Sequence, residues 1–437
     1  YTSYCTCFPS TTALAATWNK DIARLEGNAI GDEALAYGVD IVLTPGINIM
    51  RNPLCGRNFE YFSEDPYLSG IMGAAMINGI QDKGIGASLK HFIANNQQTG
   101  KLYNDARISQ RAIREIYLKG FEICIKNSDP WTVMGSYNKI GGQYTQANPE
   151  LLRTILRNEW NYNGLIVTDW YKKRDTADQL NGGTDLMMPG EQSQVDEIIA
   201  GVKNGRISET TLNKSVKYVL KLISKSISNK GWEYNEAPDL AANAALARRI
   251  ATEGMVLLKN DRSFLPISQG AKIALFGATA YKSIAGGTGS SNVNKAHITD
   301  ISTGLEKGGY TLSNRLKGLY TKFVEFQNDL LDKHPESTDW EKLSYNRTVI
   351  AEMDLSKAES IIGQEAKNSD IALIVIGRGS GEESDRRLEG DFYLTPEEKF
   401  MIEEDATRIN LYFKKVKHTP SKYPRAYGQI KKKPLEG

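Results

Sequence analysis

GLIVTDW, residues 164–170, places three large apolar residues directly before Thr168, Asp169 and Trp170. Apolar runs of this length, rich in Leu, Ile and Val, are typical of strands that are buried on both faces of a parallel sheet. A carboxylate directly after such a strand lies where loops begin, and in barrel enzymes the active site is built there. The stretch therefore predicts a parallel α/β sheet and makes Asp169 a candidate for chemistry.

Four further strand-like runs in the first half of the chain alternate with helix-like stretches. They are VDIVLTPG (39–46), GIGASLKHF (84–92), WTVMGSYN (131–138) and GTDLMMPG (183–190). Repeated strand–helix units predict a parallel sheet with helices outside it, and a closed sheet of this kind is a (β/α)8-type barrel. Because only five strands are evident, we expect a barrel that is incomplete at its N-terminus.

The periodicity then breaks at a stretch rich in Ser, Asn, Gly and Pro, and a second pattern follows. A long helical pattern (241–261) precedes the strands KIALFG (272–277) and IALIVIG (371–377), which indicate an α/β sandwich domain with a mostly parallel sheet. We therefore predict four segments. They are a barrel-like domain over 1–225, a linker over 226–240, an α/β sandwich domain over 241–410 and a basic, atypical tail over 411–437.

Composition and charge weigh against several classes of function. The chain has 437 residues, 40% hydrophobic and 24% charged, with a formal net charge of +2. The segment 411–437 holds eight Lys or Arg residues and one acidic residue, so it carries +7 and leaves −5 for the rest. This distribution gives no case for nucleic-acid binding. A membrane partner is not expected either, since no apolar run has the roughly 18–20 residues of a membrane helix.

The cysteines favour a reducing compartment and no metal. Cys5, Cys7, Cys55 and Cys124 form no C-x-x-C pair, so we expect free thiols, no zinc site and a cytoplasmic location. No signal peptide is evident, but secretion stays open because a cleaved one would leave the same sequence. No organic cofactor is expected, since the glycine-containing stretch 277–287 lacks the G-x-G-x-x-G pattern of an NAD(P)-binding oxidoreductase.

Two carboxyl groups are what cleavage of a glycosidic bond requires, one to attack the anomeric carbon and one to protonate the leaving oxygen. Asp169 supplies the first candidate. Glu382 and Glu383, in a glycine-containing loop after a strand of the second domain, supply the other. A nucleophile from one domain and an acid from the next predict a sugar-binding cleft between them. The carboxyl groups stand about 5–5.5 Å apart in retaining enzymes and about 6.5–9.5 Å apart in inverting ones.

Polar side chains end four of the predicted strands, and the strand ends of a barrel meet at one face. They are Lys90 with His91, Tyr137, Asp169 with Trp170, and Asp185. Arg57 can donate a fork of hydrogen bonds to vicinal hydroxyls, and Lys90 and His91 can donate to neighbouring ones. Trp170 offers a flat apolar face for a sugar ring. Tyr137 can hold the carboxylate of the nucleophile.

An ordered series of motifs resembles glycoside hydrolase family 3 of the β-glucosidase type. The series is CGRNFEYFSEDP (55–66), LKHFIANNQ (89–97), VMGSYNKIGG (133–142), GLIVTDW (164–170), DLMMPG (185–190), EGMVLLKND (253–261) and GSGEESDRRLEGDFYL (379–394). The resemblance implies a two-domain, retaining, exo-acting β-glucosidase that uses no cofactor. Its substrates would be β-linked glucosides or short oligosaccharides, hydrolysed at terminal non-reducing β-D-glucosyl residues by double displacement.

The resemblance also implies roles for individual residues. Asp169 would be the nucleophile and Glu382 the general acid/base, with Glu383 as a substitute. The sugar would be bound by Arg57, Lys90, His91, Lys101, Tyr137, Trp170 and Ser290. Lys101 stands where the family commonly has Arg, and it keeps the charge but loses the bidentate fork. The stretch KHFIANNQQTG (90–100) has no second histidine, which argues against the N-acetylglucosaminide branch.

Departures from the family pattern keep alternatives open. No N-terminal strand with a DGP loop is evident, and the second sheet has no expected continuation after YLTPEEKFMIEE (393–404). One alternative is a β-xylosidase or α-arabinofuranosidase of the same family. Another is a catalytically incomplete carbohydrate-binding relative. A barrel that lacks a strand exposes an edge, so we also expect pairing with a second copy of the chain as a homo-oligomer, or with a missing segment.

Overall fold

A computed structural model describes residues 3–170, 174–333 and 350–404, so the predicted tail at 411–437 lies outside the described residues. The described strands are short and form three sheets. They are β1 (Ile41–Val42), β2 (Gly86–Phe92), β3 (Asp105–Ala106), β4 (Thr132–Gly135), β5 (Lys139–Ile140), β6 (Gln143–Tyr144), β7 (Leu165–Val167), β8 (Lys272–Phe276), β9 (Thr311–Leu312) and β10 (Ile371–Ile374).

The first sheet has the strand order β1-β2-β4-β7, and every neighbouring pair is parallel. Isolated parallel bridges join Gly46 to Lys90 and Val167 to Leu186. All residues of β4 and β7 are buried, as expected of strands covered on both faces. The stretch 183–190 forms only the bridge at Leu186, so the fifth predicted strand is a single bridge.

The helices of this domain pack against the sheet and against one another. They are Thr11–Ala16, Lys20–Ala36, Pro66–Asp82, Gln110–Ala112, Lys119–Ser128, Thr176–Gly182, Gln192–Lys203, Glu209–Lys225 and Leu240–Glu253, with π-helical turns at Ile113–Tyr117 and Glu150–Glu159. The side chain of Asn19 accepts hydrogen bonds from the first turn of the helix that begins at Lys20. Gly79 allows this helix to approach the next, since a Cβ there would lie 2.2 Å from the carbonyl oxygen of Arg24.

The second domain contains a parallel sheet with the order β10-β8-β9. Its helices are Ala278–Tyr281, Ile301–Lys307, Asn314–Lys333, Glu359–Lys367 and Pro396–Glu404. The core between sheet and helices includes Phe276, Leu316, Tyr320 and Met401, all fully buried. The pattern at 241–261 is helical only to Glu253. This helix buries Ile250 in the core of the first domain.

The described part of the chain carries free thiols at all four cysteines, of which Cys55 and Cys124 are buried. Every described helix is too short or too polar to span a bilayer.

Glu26 is a buried carboxyl group on the helix Lys20–Ala36, with 3% of its surface exposed. Its Oε2 atom accepts no hydrogen bond from the described residues. Burial raises the pKa of Glu26 from 4.5 to about 8. A carboxyl group whose pKa is higher in the folded state favours folding most below its unfolded pKa, and that contribution is lost as the pH rises toward the folded pKa.

We therefore expect Glu26→Gln to stabilise the protein at neutral pH but not at pH 4.5. The difference in the free energy of unfolding should grow to about 3 kcal/mol at pH 7, because the amide never ionises. Urea unfolding of both proteins between pH 4.5 and pH 8 measures it. Asp32→Asn is the control, since Asp32 is an exposed carboxylate on the same helix. Parallel stability–pH curves for Glu26→Gln and the unsubstituted chain would contradict the expectation.

Candidate active site

Asp169 follows β7 and is nearly buried, with 7% of its surface exposed. Its Oδ1 atom accepts a hydrogen bond of 2.7 Å from the backbone N–H of Trp170. Its Oδ2 atom is buried and has no hydrogen-bond partner among the described residues, and it lies 3.7 Å from Nε2 of His91. Burial raises the pKa of Asp169, while the positive charges of Arg57 and Lys90 oppose that rise. One carboxylate oxygen is therefore available to a ligand.

His91, in β2, is a neutral imidazole. Burial and the charges of Arg57 and Lys90 hold the pKa of His91 well below its usual range. The hydroxyl of Tyr61 accepts a hydrogen bond of 2.8 Å from Asn95 and lies 3.2 Å from Nδ1 of His91. If the hydroxyl donates its own proton to Nδ1, the imidazole proton is on Nε2. His91 then presents an N–H donor on the side of Asp169.

Arg57 joins the two domains through carboxylates. Its guanidinium donates to Glu60 in the first domain, and it lies 3.5 Å from Oε1 of Glu382 in the second. Lys90 lies 3.7 Å from the other oxygen of Glu60. Burial alone would raise the pKa of Glu60, but Arg57 and Lys90 lower it, so Glu60 is ionised. Glu60 thus holds two of the predicted sugar-binding cations in place.

Glu382 is bound on both carboxylate oxygens. Lys101 donates to Oε1 over 2.5 Å, and the Ser290 hydroxyl donates to Oε2 over 2.8 Å. Burial opposes ionisation, but Arg57 and Lys101 outweigh it and lower the pKa of Glu382 to about 2. Glu383 also accepts from Lys101, over 2.9 Å, but 45% of its side chain is exposed. Lys101 and Ser290, predicted as sugar contacts, therefore bind the candidate acid in this structure.

Tyr137 lies beneath Lys101, whose Nζ is 4.9 Å from the centre of the tyrosine ring. Its hydroxyl donates to the backbone carbonyl of Trp170 over 3.0 Å and accepts from the N–H of Trp170 over 3.1 Å. Burial and the charges of Asp169 and Glu382 raise the pKa of Tyr137 far above its usual range, so the hydroxyl stays protonated. Tyr137 thereby fixes the backbone directly after Asp169.

Asp185 does not join this cluster, and the prediction that it shares the pocket is wrong. Its carboxylate accepts from Arg157 over 2.5 Å and from the N–H of Ile166 over 2.9 Å. Burial raises the pKa of Asp185 to about 6. Arg157 and Asp185 line a separate cavity of about 700 Å³ that contains none of the candidate site residues. Asp185 faces away because its carboxylate binds Arg157 and a backbone N–H in the middle of β7 rather than at the end of that strand.

The loop that carries Glu382 lies directly on the first domain. The N–H of Gly381 donates to the carbonyl of Gly56 over 2.8 Å, and the N–H of Arg386 donates to Leu54 over 2.8 Å. A Cβ at Gly56 would lie 2.1 Å from the carbonyl oxygen of Ser384, so only glycine permits this approach. The two candidate catalytic carboxylates therefore come from different domains and belong to one network of charges.

Three further side chains contact this cluster and were not predicted from the sequence: Glu60, Tyr61 and Asp385. Glu60 lies three residues after Arg57 in the same motif, and an acidic residue so close to a predicted cation was an available signal. Tyr61 contacts His91, and Asp385 accepts hydrogen bonds from backbone N–H groups of Gly56 and Gln98. These partners are distant in the chain, so no local pattern reveals them. Within the described ranges, no group of three or more His, Cys, Asp or Glu side chains could hold a metal ion.

Glycoside hydrolases use a pair of carboxyl groups, and here Asp169 at a strand end and Glu382 of the second domain share the charged cluster around Arg57. The chain matches the glycosyl hydrolase family 3 N terminal domain over residues 2–222 and the C-terminal domain of that family over residues 255–410. It therefore belongs to glycosyl hydrolase family 3, which confirms the resemblance found in the motifs.

Named relatives agree with this assignment. Thermostable beta-glucosidase B of Acetivibrio thermocellus is 42% identical over 329 residues, which are 75% of this chain and 43% of that protein. Exo-alpha-(1->6)-L-arabinopyranosidase of Bifidobacterium breve is 36% identical over 390 residues, 87% of this chain and 47% of that protein. The chain thus spans about half the length of the curated relatives it matches.

A solved structure confirms the predicted fold class. Beta-glucosidase 3B from Thermotoga neapolitana in complex with alpha-D-glucose superposes with a TM-score of 0.86 at 40% identity. The match covers 93% of this chain and 56% of that one. The two parallel sheets belong to a TIM-barrel-like domain followed by an α/β domain.

Proposed function

We propose that this chain carries the active site of a retaining, exo-acting β-glucosidase. The observation that carries the proposal is the buried Oδ2 atom of Asp169, which lacks a partner among the described residues and lies in the same charged cluster as Glu382. In a retaining mechanism one carboxylate attacks the anomeric carbon while the other protonates the leaving oxygen, and the roles of acid and base then alternate.

The surrounding side chains support this division of roles. Arg57 and Lys90 favour the ionised form of Asp169, which attack requires. The neutral His91 can donate to a sugar hydroxyl from Nε2. Arg57, Lys90, Tyr137 and Trp170 are the other proposed contacts of the sugar. We assign Lys101 and Ser290 a second task, which is to hold the carboxylate of Glu382.

The proposed substrates are β-linked glucosides or short oligosaccharides. Relatives named as beta-glucosidases favour a terminal glucosyl residue. An L-arabinopyranosyl residue is the second candidate, because two relatives are named exo-alpha-(1->6)-L-arabinopyranosidase. A β-D-glucopyranosyl ring carries a hydroxymethyl group that an α-L-arabinopyranosyl ring lacks, and the two rings have opposite configurations at C4. Contacts to the hydroxymethyl group and to the C4 hydroxyl can therefore decide between them.

The test is hydrolysis of 4-nitrophenyl β-D-glucoside, β-D-xyloside and α-L-arabinopyranoside by the full chain. We expect the highest kcat/KM for the glucoside, and NMR should detect the β-anomer of glucose as the first product. A first product of inverted configuration would overturn the retaining mechanism, and preference for another sugar would change the substrate. Binding of glucose by a folded sample without turnover would select the catalytically incomplete relative.

A further inference from the structure

We propose that Asp385 is a positioning residue that fastens the loop carrying Glu382 onto the first domain. Its Oδ1 atom accepts hydrogen bonds from the backbone N–H groups of Gly56 over 3.1 Å and Gln98 over 2.8 Å. Its Oδ2 atom accepts from the N–H of Thr99 over 3.0 Å. One carboxylate of the second domain thus binds three backbone donors on two loops of the first. The inference rests on the proposed function.

These contacts are not those of an ordinary turn. Aspartate in a turn usually accepts from a backbone N–H two residues further along its own loop. The three donors to Asp385 are instead 286 to 329 residues away in sequence. Hydrogen bonds to an ionised acceptor are roughly twice as strong as neutral ones. Asp385 is therefore a contact between domains.

The two loops that Asp385 binds carry the two cations of Glu382. Arg57 directly follows Gly56, and Lys101 lies two residues after Thr99. Asp385 itself lies three residues after Glu382. Its three hydrogen bonds therefore fix Glu382 relative to both cations at once.

The loop also has a conformation that its surroundings must maintain. Glu383, between Glu382 and Asp385, has a φ of 86°, in the left-handed region that residues other than glycine rarely adopt. Such a conformation persists where neighbouring structure over-determines it, and such positions cluster at functional sites. Without Asp385 we expect the loop to relax and the carboxyl group of Glu382 to lose its position.

The kinetic test uses two glucosides that differ in their need for an acid. A poor leaving group such as methoxyphenol needs protonation, whereas dinitrophenolate leaves without it. For Asp385→Asn we expect kcat/KM for the methoxyphenyl glucoside to fall by about 10²-fold, at the lower end of what acid–base catalysis supplies. For the dinitrophenyl glucoside we expect little change. Asp370→Asn is the matched control, since Asp370 also accepts from a backbone N–H but within the second domain.

A second readout is independent of turnover. Hydrogen exchange at the amides of Gln98 and Thr99 should be faster in Asp385→Ala than in the unsubstituted chain, because both amides lose their acceptor. An equal fall of kcat/KM for both glucosides would reduce Asp385 to a structural role and overturn the proposal. The proposal would also be overturned if Asp385→Asn left kcat/KM for both glucosides unchanged and Asp385→Ala left the exchange of both amides unchanged. If the unsubstituted chain hydrolyses neither glucoside, the proposed function fails, while the exchange experiment still tests the contact between domains.

Discussion

Asp169→Asn is expected to lower kcat/KM for aryl β-D-glucosides by roughly 10⁴-fold or more, the scale of loss seen when a central catalytic group is removed. The amide has nearly the same shape as the carboxylate but cannot attack the anomeric carbon to form a glycosyl ester. In the folded chain it replaces a carboxyl group whose Oδ2 atom has no hydrogen-bond partner among the described residues. Burial already raises the pKa of Asp169, so the fold disfavours its ionised form. Loss of activity should therefore come without loss of stability.

The measurement combines kinetics, thermal unfolding and covalent trapping. A 2-fluoro-glucoside should label the unsubstituted chain on a peptide that contains Asp169, and mass spectrometry locates the label. Asp175→Asn is the control, because Asp175 caps the next helix and Asn is an equally good cap. Near-normal turnover by Asp169→Asn, or a label on another carboxylate, would assign the nucleophile elsewhere.

The first half of the fold was predictable because each βα unit has its own local pattern. The apolar run before Asp169 predicted β7, and the run before Lys90 and His91 predicted β2. The stretch 183–190 has a similar composition, yet it forms only the bridge at Leu186. The hydrophobic pattern of a segment does not show whether a neighbouring strand is available to pair with that segment.

The ambiguity of hydrophobic patterns also explains why the helix Leu240–Glu253 ends earlier than predicted. The pattern at 241–261 continues its apolar residues past Gly254, but the helix stops at Glu253. The next four residues, from Met255 to Leu258, are exposed. An apolar run such as this fits either a helix or an extended segment, and the sequence does not distinguish them.

The charges of the site could be predicted only in part. Asp169 and Glu382 became candidates because glycosidic cleavage needs two carboxyl groups, and the resemblance implied their roles. Their environment depends on contacts between residues far apart in the chain, such as Arg57 with Glu382. The resemblance implied that Lys101 binds the sugar, whereas in the structure Lys101 binds Glu382. Only the folded chain brings this ammonium to the carboxylate.

The ion pairs of Glu382 set a condition on its proposed role as an acid. Its pKa is lowered to about 2, so Glu382 is ionised in the ligand-free protein at neutral pH. Protonation must then precede transfer to the leaving oxygen, and the protonated fraction rises as the pH falls. Asp169 must stay ionised, and burial raises its pKa. For a poor leaving group, kcat/KM should increase as the pH falls from 7 and level off where Asp169 takes up a proton.

Glu382→Gln is expected to lower kcat/KM for a methoxyphenyl glucoside by about 10²- to 10⁴-fold, the range of general acid–base catalysis. Glutamine keeps the shape of the side chain but cannot deliver a proton. In this variant kcat/KM should therefore no longer increase as the pH falls from 7. For a dinitrophenyl glucoside the rate of the first step, in which the leaving group departs, should fall less, because that leaving group departs unprotonated. A steady-state pH profile with both substrates measures these differences.

Glu383→Gln is the matched comparison for this result. Glu383 shares Lys101 with Glu382, but 45% of its side chain is exposed. Both carboxylate oxygens of Glu382, by contrast, are bound by Lys101 and Ser290 in the buried cluster. The Glu383 variant should therefore retain most of its turnover and the increase of kcat/KM toward acidic pH. If Glu383→Gln instead abolishes hydrolysis of the methoxyphenyl glucoside while Glu382→Gln does not, the acid role belongs to Glu383. Glu382 would then act only as the partner that holds Arg57 and Lys101.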